Sequence, residues 1–216
     1  MRLTHFGHAC VLAELPGADK DVRLLLDPGT YSGDFEELRD LDAVLITHAH
    51  PDHLDVDRLR QLLAANPDAP VVHGPGAAEP LREFGDRARL VRPGDDTTIG
   101  GVGIRVTGGA HACIHPDLPA SDNNGYLLGE QVFHPGDAFD VPPVRPDVLL
   151  VPAGGPWMKV GEGIDYLRTV APRVAVPIHQ AGLAAVHQGM HHHLLRTLAP
   201  AGTTVEVLEH AVPQEL

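Results

Sequence analysis

Only two cysteines, Cys10 and Cys113, occur in the chain, too few for a disulfide framework, and the simplest account is a reduced, cytoplasmic protein. Basic residues are also scarce. The 16 Lys and Arg against 29 Asp and Glu leave a net charge of −13, which argues against a surface that grips nucleic acid by its phosphates. Aromatic residues make up 4% of a sequence that is 43% hydrophobic, so its core must be built mainly from Val, Leu, Ile and Ala. No apolar run approaches the length of a membrane span, and no charged-then-apolar leader opens the chain, so no membrane association is expected. The 216 residues suffice for one well-packed domain spanning 1–216, or for two fused halves sharing a core.

Histidine, by contrast, is plentiful and concentrated. In Thr47-His48-Ala49-His50-Pro51-Asp52-His53-Leu54, three imidazoles and a carboxylate fall within six residues. Imidazole nitrogen and carboxylate oxygen together suit divalent transition metals, and such a cluster without a partner would be costly to bury. The apolar run Asp42 to Thr47 predicts a buried strand that delivers His48 and His50 at its end, where residues i and i+2 face the same side. Pro51 stops the strand and turns Asp52 and His53 in a new direction.

Along the chain, Arg2 to Phe6, Ala9 to Glu14 and Val22 to Asp27 read as strands, the last two joined as a hairpin through Leu15-Pro16-Gly17-Ala18-Asp19. Asp55 is the expected N-cap of a helix of about ten residues that ends at Asn66-Pro67 and buries Leu59, Leu62 and Leu63. A strand near Val71 and Val72 and a helix over Ala77 to Phe84 follow. This alternation marks an α/β layer. From Leu90 to Gly109 short antiparallel strands are expected, then a hairpin, Gly125 to Leu128 with Gln131 to His134, entered by a turn at Asn124-Gly125-Tyr126. Asp147 to Val151 and Arg173 to Ile178 read as buried strands, and Thr203 to Leu208 as a closing one. Helices are expected from Gly161 and over Leu183 to Leu198. The run His191-His192-His193 lies in the second of these and reads as part of a surface helix.

Four strand ends thus present His or Asp, and strand ends are where α/β architectures gather their sites. They supply His48, His50, Asp52 and His53, then His111, then Asp137, then His179. A carboxylate can bridge two ions about 3.5–4 Å apart. The expected arrangement is therefore His48, His50 and His111 on one ion, Asp52, His53 and His179 on the other, and Asp137 between them. Two divalent transition-metal ions are implied, zinc first, with manganese or iron as alternatives.

In order and context these motifs resemble the metallo-β-lactamase superfamily. Gly7-His8-Ala9, Leu26-Asp27-Pro28, His134-Pro135-Gly136-Asp137 and Val176-Pro177-Ile178-His179 are similar to the branch of small metal-dependent hydrolases that includes ascorbate-6-phosphate lactonase. The resemblance implies an α/β fold, the four-layer αββα metallo-β-lactamase sandwich, with a dinuclear site on one edge and hydrolysis by a metal-bridging hydroxide. Neither the added RNA-clamping domain nor the appended flavin domain of other superfamily members has a counterpart here.

The expected function is hydrolysis of a small metabolite, neutral or anionic, a lactone or other ester. The alternatives are a phosphodiesterase of the same fold and a non-catalytic metal-binding protein. Asp52 is the candidate to orient the nucleophile or take its proton. Asp27 reads as either a turn cap or a group orienting a ligand histidine. His115 competes with His111 as third ligand or contacts substrate, and His8 and His134 adjoin motif residues in supporting roles. Trp157 and Lys159 are expected to line the pocket, where the lysine either pairs with an anionic substrate or is simply solvated. Cys113 reads as an ordinary small residue near the site. The expected partner is a small-molecule substrate, with no nucleic acid and no membrane; a homo-oligomer is compatible with the sequence.

Overall fold

The computed structural model describes residues 1–216. Its strands form two seven-stranded sheets, each part antiparallel and part parallel. The first contains β1 (Arg2–His5), β2 (Val11–Pro16), β3 (Asp21–Leu26), β4 (Ala43–Ile46), β5 (Val71–His73) and β6 (Ala88–Leu90), with β14 (Gln214–Glu215) beside β1. The second runs from β7 (Asp96–Ile99) through β8 (Val102–Gly108), β9 (Asn124–Leu128), β10 (Val132–His134), β11 (Val148–Pro152) and β12 (Val174–Ile178) to β13 (Thr204–Val205). Helix α1 (Val56–Ala65) packs on the first sheet, and α2 (Val160–Val170) and α3 (Ala185–Leu198) on the second.

The layer order follows from the two-residue period of the strands. In β3, Leu24 and Leu26 enter the cluster between the sheets, whereas Leu25 faces outward into the cluster under α1. Ala43 and Leu45 of β4 repeat this against Val44 and Ile46. In the other sheet, Val148 and Leu150 face inward while Leu149 and Val151 meet α2 and α3. A strand buried on both faces has no polar alternation, which is why these runs are continuously apolar. The expected αββα order is what the chain forms. Among the aromatic residues only Tyr126 enters the inter-sheet cluster, and its hydroxyl donates to the Ile46 carbonyl at 2.8 Å, pinning the second sheet to the strand that feeds the histidine loop.

Asp55 caps α1 by accepting from the Arg58 N–H, and Leu59, Leu62 and Leu63 are buried, as the spacing predicts. The helix expected over Ala77 to Phe84 does not form. Two short 3₁₀ turns, Pro75–Ala77 and Arg82–Arg87, stand there instead. Pro80 has no N–H to donate, and Gly85 takes a φ of 55°, so an α-helix cannot run through. The segment that follows, β6, pairs parallel to β5 rather than opening an antiparallel set, and antiparallel pairing begins with β7 and β8. The closing strand shortens to β13, and Asn124 to Tyr126 already belong to β9. In α3 only Leu195 is buried, in keeping with a surface helix. No helix is long and apolar enough to cross a membrane.

Candidate metal centre

Strands β4, β8, β10 and β12 all deliver their C-terminal connections to the same edge of the sandwich. The ligand atoms of His48, His50 and His111 lie within 4.8 Å of one another, as do those of His8, Asp52, His53 and His179, and those of His48, His53 and Asp137. Asp137 lies between the groups. Its Oδ2 is 3.3 Å from His111 Nε2 and 3.0 Å from His179 Nε2, and its Oδ1 is 3.1 Å from His53 Nε2. All seven expected ligands are therefore brought together.

The outer nitrogens of four rings are already committed. His53 Nδ1 donates to Asp27 Oδ2 at 2.7 Å, His48 Nδ1 to Thr47 Oγ1 at 3.0 Å, and His111 Nδ1 to the Ala112 carbonyl at 2.6 Å. His179 Nδ1 donates to the Gly154 carbonyl. Each bond places the proton on Nδ1 and turns the Nε2 lone pair inward, the tautomer a metal ligand requires. His53, His111 and His179 Nε2, with Asp137 Oδ1, are buried without a hydrogen-bond partner although neighbours lie within about 3 Å. Buried acceptors that converge without donors are a cradle for cations, and the residues present fit divalent metal ions.

Asp27 is fully buried and also accepts from the Thr47 N–H at 2.8 Å and the Thr47 hydroxyl at 2.7 Å. Thr47 thus ties Asp27 to His48, a link with no signature in the sequence because the residue reads simply as the end of a strand. Asp27→Asn places an amide where the carboxylate accepts from several donors, and we expect it to lower metal affinity about 10–100-fold, measured by competition with a chromophoric chelator. His8, Asp27 and His179 hold φ values of 49°, 45° and 62°, left-handed conformations that cost non-glycine residues about 1–3 kcal/mol each. All three of these residues touch the cluster.

His8 donates from Nε2 to Asp52 Oδ2 at 3.0 Å while its Nδ1 accepts from the Ala181 N–H, which joins the start of the chain to the carboxylate of the histidine loop. Trp157, expected to line the pocket, lines neither cavity at the site and is buried behind the cluster, where its Nε1 donates to Asp137 Oδ2 at 2.7 Å. His134 is buried behind the cluster, 3.5 Å from Asp27 Oδ2, accepting from the Gly136 N–H and donating to the Ala9 carbonyl at 3.1 Å. His115 stays out on the loop, 62% exposed, where His111 is 4% exposed and beside Asp137. Lys159 is exposed at the start of α2, its backbone N–H bonded to Glu162, and lines neither cavity at the site. Asn123, not singled out by sequence, accepts from the Asp137 N–H and donates to the Pro135 carbonyl. Gly29 and Gly136 permit these approaches, since a Cβ would fall 1.9 Å from the Asp52 carbonyl oxygen and 2.1 Å from Asn123 Oδ1 respectively.

The electrostatics are those of a charged cluster in a dry setting. Burial, aided by the neighbouring His53, pushes His48 well below the ordinary histidine range. Burial brings His8 down to about 4, against the pull of Asp52. His53 goes the other way: burial opposes its proton, but the Asp137 and Asp27 carboxylates on either side outweigh it and hold the ring well above the usual value. Burial likewise opposes ionisation of Asp52, yet the His8 hydrogen bond and the nearby imidazoles bring it down to about 2.

Two cavities flank the cluster. One, of about 450 Å³, is lined by His8, Tyr31, Asp52, His179 and Leu183 among others. The other, of about 540 Å³, has His50 and His111 on one wall and the loop from Ala112 to Ser121 on the other.

An αββα sandwich with a buried His and Asp cluster along one edge, framed on both sides by cavities, defines a metal-binding protein of metallo-β-lactamase type. The family model described as Beta-lactamase superfamily domain matches residues 2–179, and the chain belongs to that family. It is similar to Protein Rv0786c of Mycobacterium tuberculosis, 46% identical over 98% of this chain and 99% of that protein. It is 29% identical to the UPF0173 metal-dependent hydrolase Ta0764 of Thermoplasma acidophilum over 67% of each. Among solved structures, Igni18, a metallo hydrolase from the archaeon Ignicoccus hospitalis, shares the fold, with a TM-score of 0.72 at 23% identity over 100% of this chain and 98% of that one.

Proposed function

We propose that this chain is a metal-dependent hydrolase acting on a small ester or lactone, with His48, His50 and His111 holding one ion, Asp52, His53 and His179 a second, and Asp137 shared. The observation that carries the reading is the set of buried, unpartnered Nε2 atoms around Asp137, each set in its tautomer from behind. Divalent cations bound there supply Lewis-acid polarisation of the scissile group and acidify water into a nucleophile near neutral pH. The chain's own part is to orient and to move a proton. Asp52, part-exposed on the wall of the 450 Å³ cavity and steered by His8, is ionised at neutral pH and placed to accept the proton of the attacking water. Trp157 holds the Asp137 carboxylate by a hydrogen bond, and Asn123 holds its backbone N–H.

Relatives named as metal-dependent hydrolases support hydrolysis, and the cavity volumes suit a small molecule. The motifs similar to ascorbate-6-phosphate lactonase support lactones as the first compounds to try. Neither cavity has a Lys or Arg in its lining, so negative charge on a substrate would be met by the cations rather than by side chains. Two free cysteines, one of them exposed, fit a reducing cytoplasm.

The test is metal content of untagged protein purified without chelator, followed by turnover of simple lactones, p-nitrophenyl esters and bis(p-nitrophenyl) phosphate. Near two equivalents of metal, with ester or lactone turnover lost on chelation, is expected. Turnover of the phosphodiester alone would replace the reading with a phosphodiesterase. Failure to retain or reload metal, with no substrate turned over, would overturn it.

A further inference from the structure

The loop from Ala112 to Ser121 is anchored at its base and apolar at its tip. Its base is tied to the sheet by His111 N–H to the Ser121 carbonyl at 2.9 Å, Ala112 N–H to the Asp137 carbonyl at 2.8 Å and Gly109 N–H to the Asn123 carbonyl at 2.7 Å. Beyond it, Ile114 and Leu118 are 42% and 54% exposed and belong to none of the three hydrophobic clusters of the fold. Pro116 and Pro119 stiffen the segment between them. Together these side chains form the far wall of the 540 Å³ cavity whose near wall is His50 and His111. No Lys, Arg, Asp or Glu lines it.

The exposed parts of these aliphatic side chains add nothing to folding, and holding them over a polar cluster makes sense when an apolar group comes to cover them. We propose that this cavity is a subsite for a straight-chain aliphatic group, so that the substrate is an ester or lactone carrying an alkyl or acyl tail, with its carbonyl at the histidine cluster. The proposal rests on the hydrolase reading for its carbonyl end but not for its tail. The second cavity, on the side of Asp52, is left for the attacking water and the departing polar group.

Burial of each methylene contributes about 0.8 kcal/mol, a factor of about 4 in affinity. The probe is a series of n-alkanehydroxamates from four to eight carbons, whose head group binds metal without being hydrolysed, titrated calorimetrically into metal-loaded protein. Affinity is expected to rise about 4-fold per added methylene. Leu118→Asn and Ile114→Asn, on the exposed loop tip, should flatten the series while leaving the short hydroxamate and the circular dichroism spectrum unchanged. A flat series in the wild-type protein, or an unchanged slope in both variants, would overturn the subsite. Turnover of p-nitrophenyl esters is measured in parallel. A steep hydroxamate series with no ester or lactone turned over would keep the subsite and overturn the hydrolase reading, whereas turnover indifferent to chain length would do the reverse.

Discussion

Asp137→Asn is expected to reduce bound metal from near two equivalents to one or none and to lower kcat/KM by more than about 100-fold, beyond what loss of a group behind a ligand costs. The side chain is isosteric, so the cause is charge. Asp137 is buried, and its carboxylate is the one negative group that His53, His111 and His179 all face at 3.0–3.3 Å. Burial opposes its ionisation, yet the charge of His53 and the close imidazoles of His111 and His179 keep it ionised well below the ordinary carboxylate range. An amide there offers one oxygen instead of two and points N–H groups toward cations. It still accepts from Trp157 through the remaining oxygen, so the fold should persist, and an unchanged far-ultraviolet spectrum would separate loss of metal from loss of structure. Mass-spectrometric metal content near two equivalents in the variant would refute the shared-carboxylate arrangement.

Stripping the metal is expected to lower Tm by about 8–16 °C, since a ligand present at 1,000 times its Kd stabilises by about 4 kcal/mol and a chain of this size shifts about 2–4 °C per kcal/mol. The dependence on pH has a definite sign. In metal-free protein His53 holds its proton between Asp27 and Asp137, its pKa raised well above the 6.5 of a free histidine. A raised pKa stabilises the folded state fully below 6.5, and that stabilisation is lost as pH rises through the folded value. Metal must displace the same proton, so loading releases protons and becomes more favourable as pH rises. The stripped protein should therefore lose Tm above about pH 6.5 while the gap between stripped and loaded protein widens. Scanning calorimetry at several pH values, with and without chelator, measures both. A gap that narrows with rising pH would remove His53 from the ligand set.

Much of this was legible in the chain because strands buried on both faces leave an unmistakable record. Ala43 to Ile46, Val132 to His134 and Val174 to Ile178 are buried along their whole length, and each is followed closely by the His or Asp that its end presents. That His48, His50, Asp52, His53, His111, Asp137 and His179 meet could be read from those endings without knowing a single crossing. Over Ala77 to Phe84 the apolar spacing suggests a helix while Pro80 and Gly85 forbid one, and local backbone chemistry prevails over periodicity. Strand β14 left no signal: a two-residue strand is specified by the neighbour it pairs with, here Arg2 and Leu3 of β1.

The sequence by itself determined the layers and the donor types gathered at the site, because period-two burial and donor chemistry are properties of residues and their neighbours along the chain. Only the tertiary structure decided what stands behind each of these side chains. Thr47 and Asp27 are 20 positions apart, Trp157 and Asp137 also 20, His8 and Asp52 44, and His179 and the Gly154 carbonyl 25. A hydrogen bond is a relation of angle and distance between groups that share no local pattern, so nothing short of the folded chain could say that His8 steers Asp52, that Trp157 holds Asp137, or that Ile114 and Leu118 are left facing a cavity.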